Sequence, residues 1–552
     1  MKNGKSSAAN WSHRLMVGLL LLASHLIAAA PRPPNFLIIV ADDMGFSDAG
    51  CYGGEIATPN LDGLARSGLR YTQFYSTARC WPSRACILTG YYAQQVRMDP
   101  PQGRLPEWTR LVPHYLKLAG YRCYHSGKWH VNGAPKRIAD GGFDHSYSVE
   151  DHDRFFYPRN TLLDDQPLPP VATNAGYYST TAIADYALQF LREHQQQHRE
   201  KPFFLYLAFL SPHFPLQALP QDIAKYQGRY LAGWDALRRE RWQRATALGL
   251  VTHPLPELEP NYVASWSLSE VELQRQIGPG ESAYAVPWHA LTLEQKIFQA
   301  QKMAVHAAMV DRMDQEIGRV LAQIKAMGQA DNTVTFFVSD NGASAEQIIR
   351  GDRHDPQAPP GSPRTFLCLG PGWSSAANSP LRLHKHWVHE GGISSPLIVH
   401  WPAGIKERGA IRHAPGHFID LLPTLLDLAA IKPPEQWNGK TPPPLPGRSL
   451  VPTFSADVPL RRDYLFFNHA GNRALRVGNM KLVAAGAKGP WELYDLSTDR
   501  GESRNLAAEQ PDKVSEMAAL WQQLETTFRE QAGPPPPRQN QAGKGKAAQK
   551  KE

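Results

Sequence analysis

The chain has 552 residues, 42% of them hydrophobic and 20% charged, which excludes a disordered or fibrous protein and leaves material for a large core and more than one domain. The formal charge of +8 belongs to the ends: Lys2, Lys5 and Arg14 lie before residue 30, and Arg538, Lys544, Lys546, Lys550 and Lys551 stand against Glu552 in residues 533–552, so the body keeps +1. A folded nucleic-acid binder carries its basic face on the body, so no nucleic-acid partner is expected.

Along the chain, residues 15–27 form an apolar run behind Lys2, Lys5 and Arg14, and Ala28, Ala29 and Ala30 supply small residues for cleavage. This reads as a secretory signal peptide over residues 1–30, too short for a comfortable membrane span. The expected address is therefore export, periplasmic or secreted, with no stable membrane span after cleavage. Residues 36–40, Phe-Leu-Ile-Ile-Val, look like a strand buried on both faces, and the strand ends at Asp42 and Asp43. Similar runs lie at 203–210, 333–338 and 397–401, and a shorter strand is expected at 122–126. Helical patterns lie between them. The clearest spans about 293–327, with Met309, Met313, Ile317, Leu321 and Ile324 at three- and four-residue spacing. The alternation predicts an α/β fold, a large mostly parallel sheet flanked by helices.

Residues 220–290 interrupt this rhythm and read equally well as a helical excursion over the active-site face or as a plain surface insertion. A Pro-rich joint at 442–446 precedes four short strand patterns, 464–467, 473–477, 480–483 and 491–494, and then a helix over 512–529. These predict a smaller C-terminal antiparallel α+β subdomain over 441–532, after a larger domain over 31–440 that carries the parallel sheet. Residues 533–552 read as a disordered basic tail. Of the five cysteines, Cys51, Cys80, Cys86, Cys123 and Cys368, no two have metal or thioredoxin-like spacing. The odd count leaves one for modification and permits one or two disulfides among the others, with no pairing legible.

The most informative run is Cys80-Trp81-Pro82-Ser83-Arg84, followed by Thr89-Gly90. A lone cysteine is ordinarily a structural thiol, but Pro82 can open a helix. That puts Cys80 just before a helix N-terminus and Arg84 on its first turn, an anion site on physical grounds. Ligands in such sheets gather at the carboxyl ends of the strands. There stand Asp42 and Asp43, and also Asp340 and Asn341. Each pair alone is an ordinary turn; together they make an oxygen-rich cation site suited to calcium or magnesium rather than zinc. Gly127-Lys128-Trp129-His130, Ser211-Pro212-His213, and Lys385 five residues before Glu390-Gly391-Gly392 complete the set.

Together these runs resemble the type I sulfatases, members of the alkaline-phosphatase-like superfamily, with the signature C-x-P-S-R-x-x-x-x-T-G. The finer texture is similar to arylsulfatase-type members, and no core motif residue is missing. The resemblance implies that a formylglycine-generating or equivalent maturation enzyme converts Cys80 to formylglycine (3-oxoalanine). It implies one divalent cation, usually calcium with magnesium as the alternative, on Asp42, Asp43, Cys80, Asp340 and Asn341. It further implies catalytic roles for Cys80, Arg84, Lys128, His130, His213 and Lys385: the cations meet the sulfate, His213 with Lys385 protonates the leaving alcohol, and His130 removes a proton so that sulfate is expelled. The expected activity is sulfuric ester hydrolysis, on a sulfated small molecule or carbohydrate, with aryl and sugar esters both open. The alternatives are a phosphodiester or phosphonate monoester hydrolase of the same superfamily, or a non-catalytic exported binding protein if Cys80 is unmodified.

Overall fold

The computed structural model describes Met1 and residues 33–535. The expected signal peptide and basic tail lie, but for Met1 and residues 533–535, outside the described residues. Eleven strands form the main sheet: β1 (Asn35–Ala41), β2 (Leu69–Tyr75), β3 (Arg122–Gly127), β4 (His145–Val149), β5 (Thr161–Leu163), β6 (Gln166–Pro167), β7 (Phe203–Ala208), β8 (Thr333–Ser339), β9 (Ser394–His400), β10 (Ala410–Arg412) and β11 (Gly416–His417). The spatial order is β10-β2-β9-β8-β1-β7-β3-β4-β5-β6, with β11 also on β2. The centre, β8-β1-β7-β3-β4, is parallel throughout, as the apolar runs predicted.

The pleat divides β1 between two cores. Leu37, Ile39 and Ala41 face one core with the long helix Leu293–Ala326 and the helix Ser179–Gln197; Phe36, Ile38 and Val40 face the other with the helix Cys80–Thr89. A sheet covered on both faces needs no polar alternation, which is why these strands read as continuous apolar runs. The long helix starts at a capping box: Thr292 accepts from the Gln295 backbone N–H and the Gln295 side chain accepts from Thr292 N–H.

The C-terminal strands are β12 (Leu465–His469), β13 (Asn472–Val477), β14 (Met480–Ala484) and β15 (Glu492–Asp495), an antiparallel meander, followed by the helix Pro511–Ala532. Phe466, Leu475, Leu482, Trp521 and Phe528 share one core with Phe36 and Leu88, so the small sheet is built onto the large one.

Two expectations change, and the open question of disulfides closes. The strand read at 397–401 is β9, starts three residues earlier, and runs antiparallel to both β8 and β2. Cys80 does not precede its helix but is its first residue: Arg79 is extended (φ −150°, ψ 151°) and takes the N-cap, and Pro82 sits within the first turn, where an N–H has no intrahelical acceptor anyway. All five cysteines are buried free thiols, so no disulfide forms. Among the described residues, no helix is long and apolar enough to cross a membrane.

Candidate active site

Register places the site. Ala41 lies opposite Ser339, Val40 opposite Ala208, and Gly127 opposite Ala208, so four parallel strands end nearly level. The next residues, Asp42, Asp340 and Lys128, therefore leave one edge of the sheet together, and His213 follows β7 by five residues. Gly127 is required at its position. Its φ is +121°, and a Cβ would lie 1.8 Å from the Ala208 carbonyl oxygen. That contact lets Lys128 N–H bond the same carbonyl at 2.8 Å.

The run around Cys80 folds by equally local rules. Ser83 Oγ accepts from Thr77 N–H at 3.1 Å and lies 2.8 Å from Thr77 Oγ1, pinning the approach to the helix. Thr89 donates back to the Ala85 carbonyl, and Gly90, at φ 75°, closes the helix on the Cys86 carbonyl.

Three carboxylates meet three cations on the floor of the site. Lys128 Nζ lies 2.5 Å from Asp42 Oδ2. Lys385 Nζ lies 2.8 and 2.9 Å from the two oxygens of Asp43. Arg84 grips Asp340 through Nε at 2.9 Å and a terminal nitrogen at 2.8 Å, and donates to the Lys128 carbonyl. All six side chains are buried. Burial alone would raise the Asp42 acid, but Lys128, His213 and Arg84 hold it well below the ordinary range. Asp340 goes the other way, pushed up to about 7 by burial and by the charge of Asp42.

Cys80 Sγ and oxygens of Asp42 and Asp340 lie within 4.8 Å of one another. Burial pushes the thiol up, against the pull of Lys128 and Lys385, so unmodified Cys80 is protonated and a poor nucleophile. Asn341 donates to Asp43 Oδ1 at 2.7 Å. Two oxygens in this wall, Asp42 Oδ1 and Asn341 Oδ1, are buried with no hydrogen-bond partner. Orphaned oxygens amid carboxylates are a donor set for a hard cation, so these residues fit calcium or magnesium.

Of the two histidines, His213 reaches this floor, with a ring nitrogen within 4.8 Å of oxygens of Asp42 and Asp43. His213 donates from Nδ1 to the Phe214 carbonyl, and its Nε2 is 3.7 Å from Asp43; burial pulls it down to about 4. His130, at φ 57°, has a buried Nδ1 without a partner, and burial and Lys128 hold it well below its ordinary value. Of the residues crowding Lys385, His384 bonds Ser374 at 2.8 Å and His389 approaches Glu492 at 3.4 Å. His386 packs against Trp266. Only Lys385 reaches Asp43.

All ten residues singled out in the sequence thus gather at one strand edge. Sequence reasoning missed His152, whose ring centre is 4.6 Å from that of His130, and Glu346, which approaches Lys385 at 3.6 Å and pairs with Arg79 at 3.1 Å. It also missed Trp266, whose indole N–H donates to Glu346 at 2.8 Å. Arg79, beside the cysteine, carried the one available signal; the others sit in segments without motif or period.

The sequence model of sulfatases matches residues 34–431, and one described as N-sulphoglucosamine sulphohydrolase, C-terminal, matches residues 382–531. The chain is 34% identical to an uncharacterized sulfatase of Schizosaccharomyces pombe, over 89% of this chain and 93% of that protein. It is 31% identical to the arylsulfatase of Klebsiella aerogenes, over 80% and 97%. A structure solved in complex with its substrate, D-glucosamine-2-N,6-O-disulfate, shares the fold at a TM-score of 0.63 and 21% identity, over 90% of this chain and 99% of that one. The strand-edge site and these likenesses agree: the chain belongs to the sulfatase family and is an enzyme that hydrolyses sulfate esters.

Proposed function

We propose that residue 80 acts as formylglycine and that Asp42, Asp43, Asp340 and Asn341 hold one divalent cation beside it, calcium or alternatively magnesium. The observation that carries this reading is the pair of orphaned oxygens, Asp42 Oδ1 and Asn341 Oδ1, in a carboxylate wall within reach of Cys80. When bound, the hydrated aldehyde supplies an oxygen nucleophile with a second hydroxyl, and the cation supplies charge against the sulfate oxygens.

The chain's own side chains divide the remaining work. Arg84, Lys128 and Lys385 offset the charge of the ester in a site shielded from water. His213 donates a proton from Nε2 to the departing alcohol oxygen, its ring oriented by the Nδ1 bond to Phe214 and its neighbour Lys385 assisting. Burial holds His213 neutral in the free site, and the negative charge of a bound ester strengthens its hold on the proton it donates. His130 is held neutral, the state of a base, and takes up the proton whose removal releases sulfate.

The disulfated glucosamine bound by the similar solved structure supports a sulfated carbohydrate as substrate. The leader supports export to the periplasm or medium, and the aldehyde requires a maturation enzyme acting on Cys80. The mass of the peptide carrying residue 80, from protein made in its native host, tests the central claim. The aldehyde or its hydrate is expected; a plain thiol in fully active enzyme overturns it.

A further inference from the structure

The mouth of the site is built differently from its floor. Arg79 and Trp81 flank Cys80, and the Arg79 guanidinium lies 5.2 Å from the Trp81 ring and 5.7 Å from the Trp266 ring. Trp266 comes from the 220–290 insertion. It is 40% exposed, yet its indole N–H is tied to Glu346 and its ring stands edge-on to His386, with centroids 4.8 Å apart. The insertion is pinned here a second time, by Leu268 N–H on the Gln347 carbonyl at 2.8 Å. An exposed large aromatic held this rigidly is a preorganised binding face.

Around it lie buried nitrogens without partners: Arg79 Nε, Trp81 Nε1, His386 Nδ1 and His130 Nδ1. The first two can only donate. Trp81 lies against His130, at 5.7 Å between ring centres, so these groups are contiguous with the catalytic histidine. Arg79 and Trp81 thus demand acceptor oxygens. Glu346 neutralises Arg79, so the demand is not for a second negative charge.

We propose that Trp266, Trp81, Arg79 and His386 form the subsite for the sugar ring of a sulfated saccharide, the apolar C–H face of the ring lying on Trp266 and its hydroxyl and ring oxygens accepting from Arg79 and Trp81. An aryl sulfate has no C–H face to lay on Trp266 and no hydroxyl or ring oxygen for these donors, so it draws less from the subsite. The subsite rests on the sulfatase reading above and adds the residues that select the alcohol.

The test uses the matured full chain, a panel of monosaccharide monosulfates differing in the position of the ester, and nitrophenyl sulfate. Trp266→Ala should lower kcat/KM for the best sugar sulfate relative to nitrophenyl sulfate by about tenfold or more, mostly through KM. Trp266→Phe keeps an aromatic face, and should recover part of the ratio; it also guards against a folding defect. An unchanged ratio in Trp266→Ala overturns the subsite, as does a wild-type enzyme that cleaves the aryl ester and no sugar ester. Matured protein that cleaves neither class overturns the activity reading itself, and the subsite with it.

Discussion

The floor and the mouth of this site follow different rules. On the floor, Asp42, Asp340 and Lys128 leave strands whose ends are fixed by ladder register, and every charge is paired. At the mouth, Trp266 and His386 come from segments that no strand register fixes, and aromatic faces and unpaired nitrogens surround the Arg79–Glu346 ion pair. Chemistry common to all sulfate esters sits where the backbone is pinned. Discrimination among alcohols sits where segments can be exchanged without disturbing the sheet.

The largest blow to the floor is Cys80→Ala, which should cut turnover by several orders of magnitude, as nucleophile deletions do; substantial remaining activity would break the mechanism. Next comes metal removal. Chelation should abolish most activity, with calcium or magnesium restoring it; recovery by zinc alone would contradict the oxygen donor set. Because Asp340 sits at about 7 without a cation, cation binding near neutral pH should release a proton and weaken as pH falls below 7. Calorimetry in two buffers of different ionisation enthalpy reads that proton, and its absence would put Asp340 outside the donor set.

His213→Ala should be milder, on the order of a hundred- to ten-thousandfold in kcat/KM for alkyl and sugar esters, and less for nitrophenyl sulfate, whose phenol needs little protonation. Equal losses on both would assign His213 to the shared floor rather than to the leaving group.

The smallest effect is on stability. Burial pulls His384 and His417 each down to about 3, against about 6.5 in an unfolded chain. The unfolded chain binds more protons between those values, so stability should fall as pH drops below about 6.5 and hold steady above it. A thermal melt series gives the slope, and His417→Asn should flatten it; an unchanged slope would show that other groups dominate.

The floor was legible because its elements carry strong local signals. β1 and β8 are apolar without interruption, and their ends coincide with the acidic pairs. An apolar run has no arrow, however, so the reversal of β9 was invisible. β2, with Arg70, Thr72 and Gln73 breaking its apolar pattern, gave no signal as a strand. The mouth was illegible for another reason. Trp266 and Glu346 are 80 residues apart and meet only through the fold; neither has a period or motif. The small sheet was readable strand by strand, whereas its shared core with Phe36 and Leu88 required the packing to be seen.

The burial of Cys80 has a consequence in time. In the folded chain this residue is 3% exposed, so on the proposed formylglycine reading a maturation enzyme would have to reach it before the sheet closes over it. Arg84, on the same helix, is locked by Asp340, which is made 256 residues later. At roughly 5–20 residues per second of synthesis, that delay is about 13–50 s. On that reading, oxidation of Cys80 would compete with folding inside a window set by the order of residues along the chain. Protein that folds first should remain a thiol thereafter, and adding the maturation enzyme to the folded chain should not convert it.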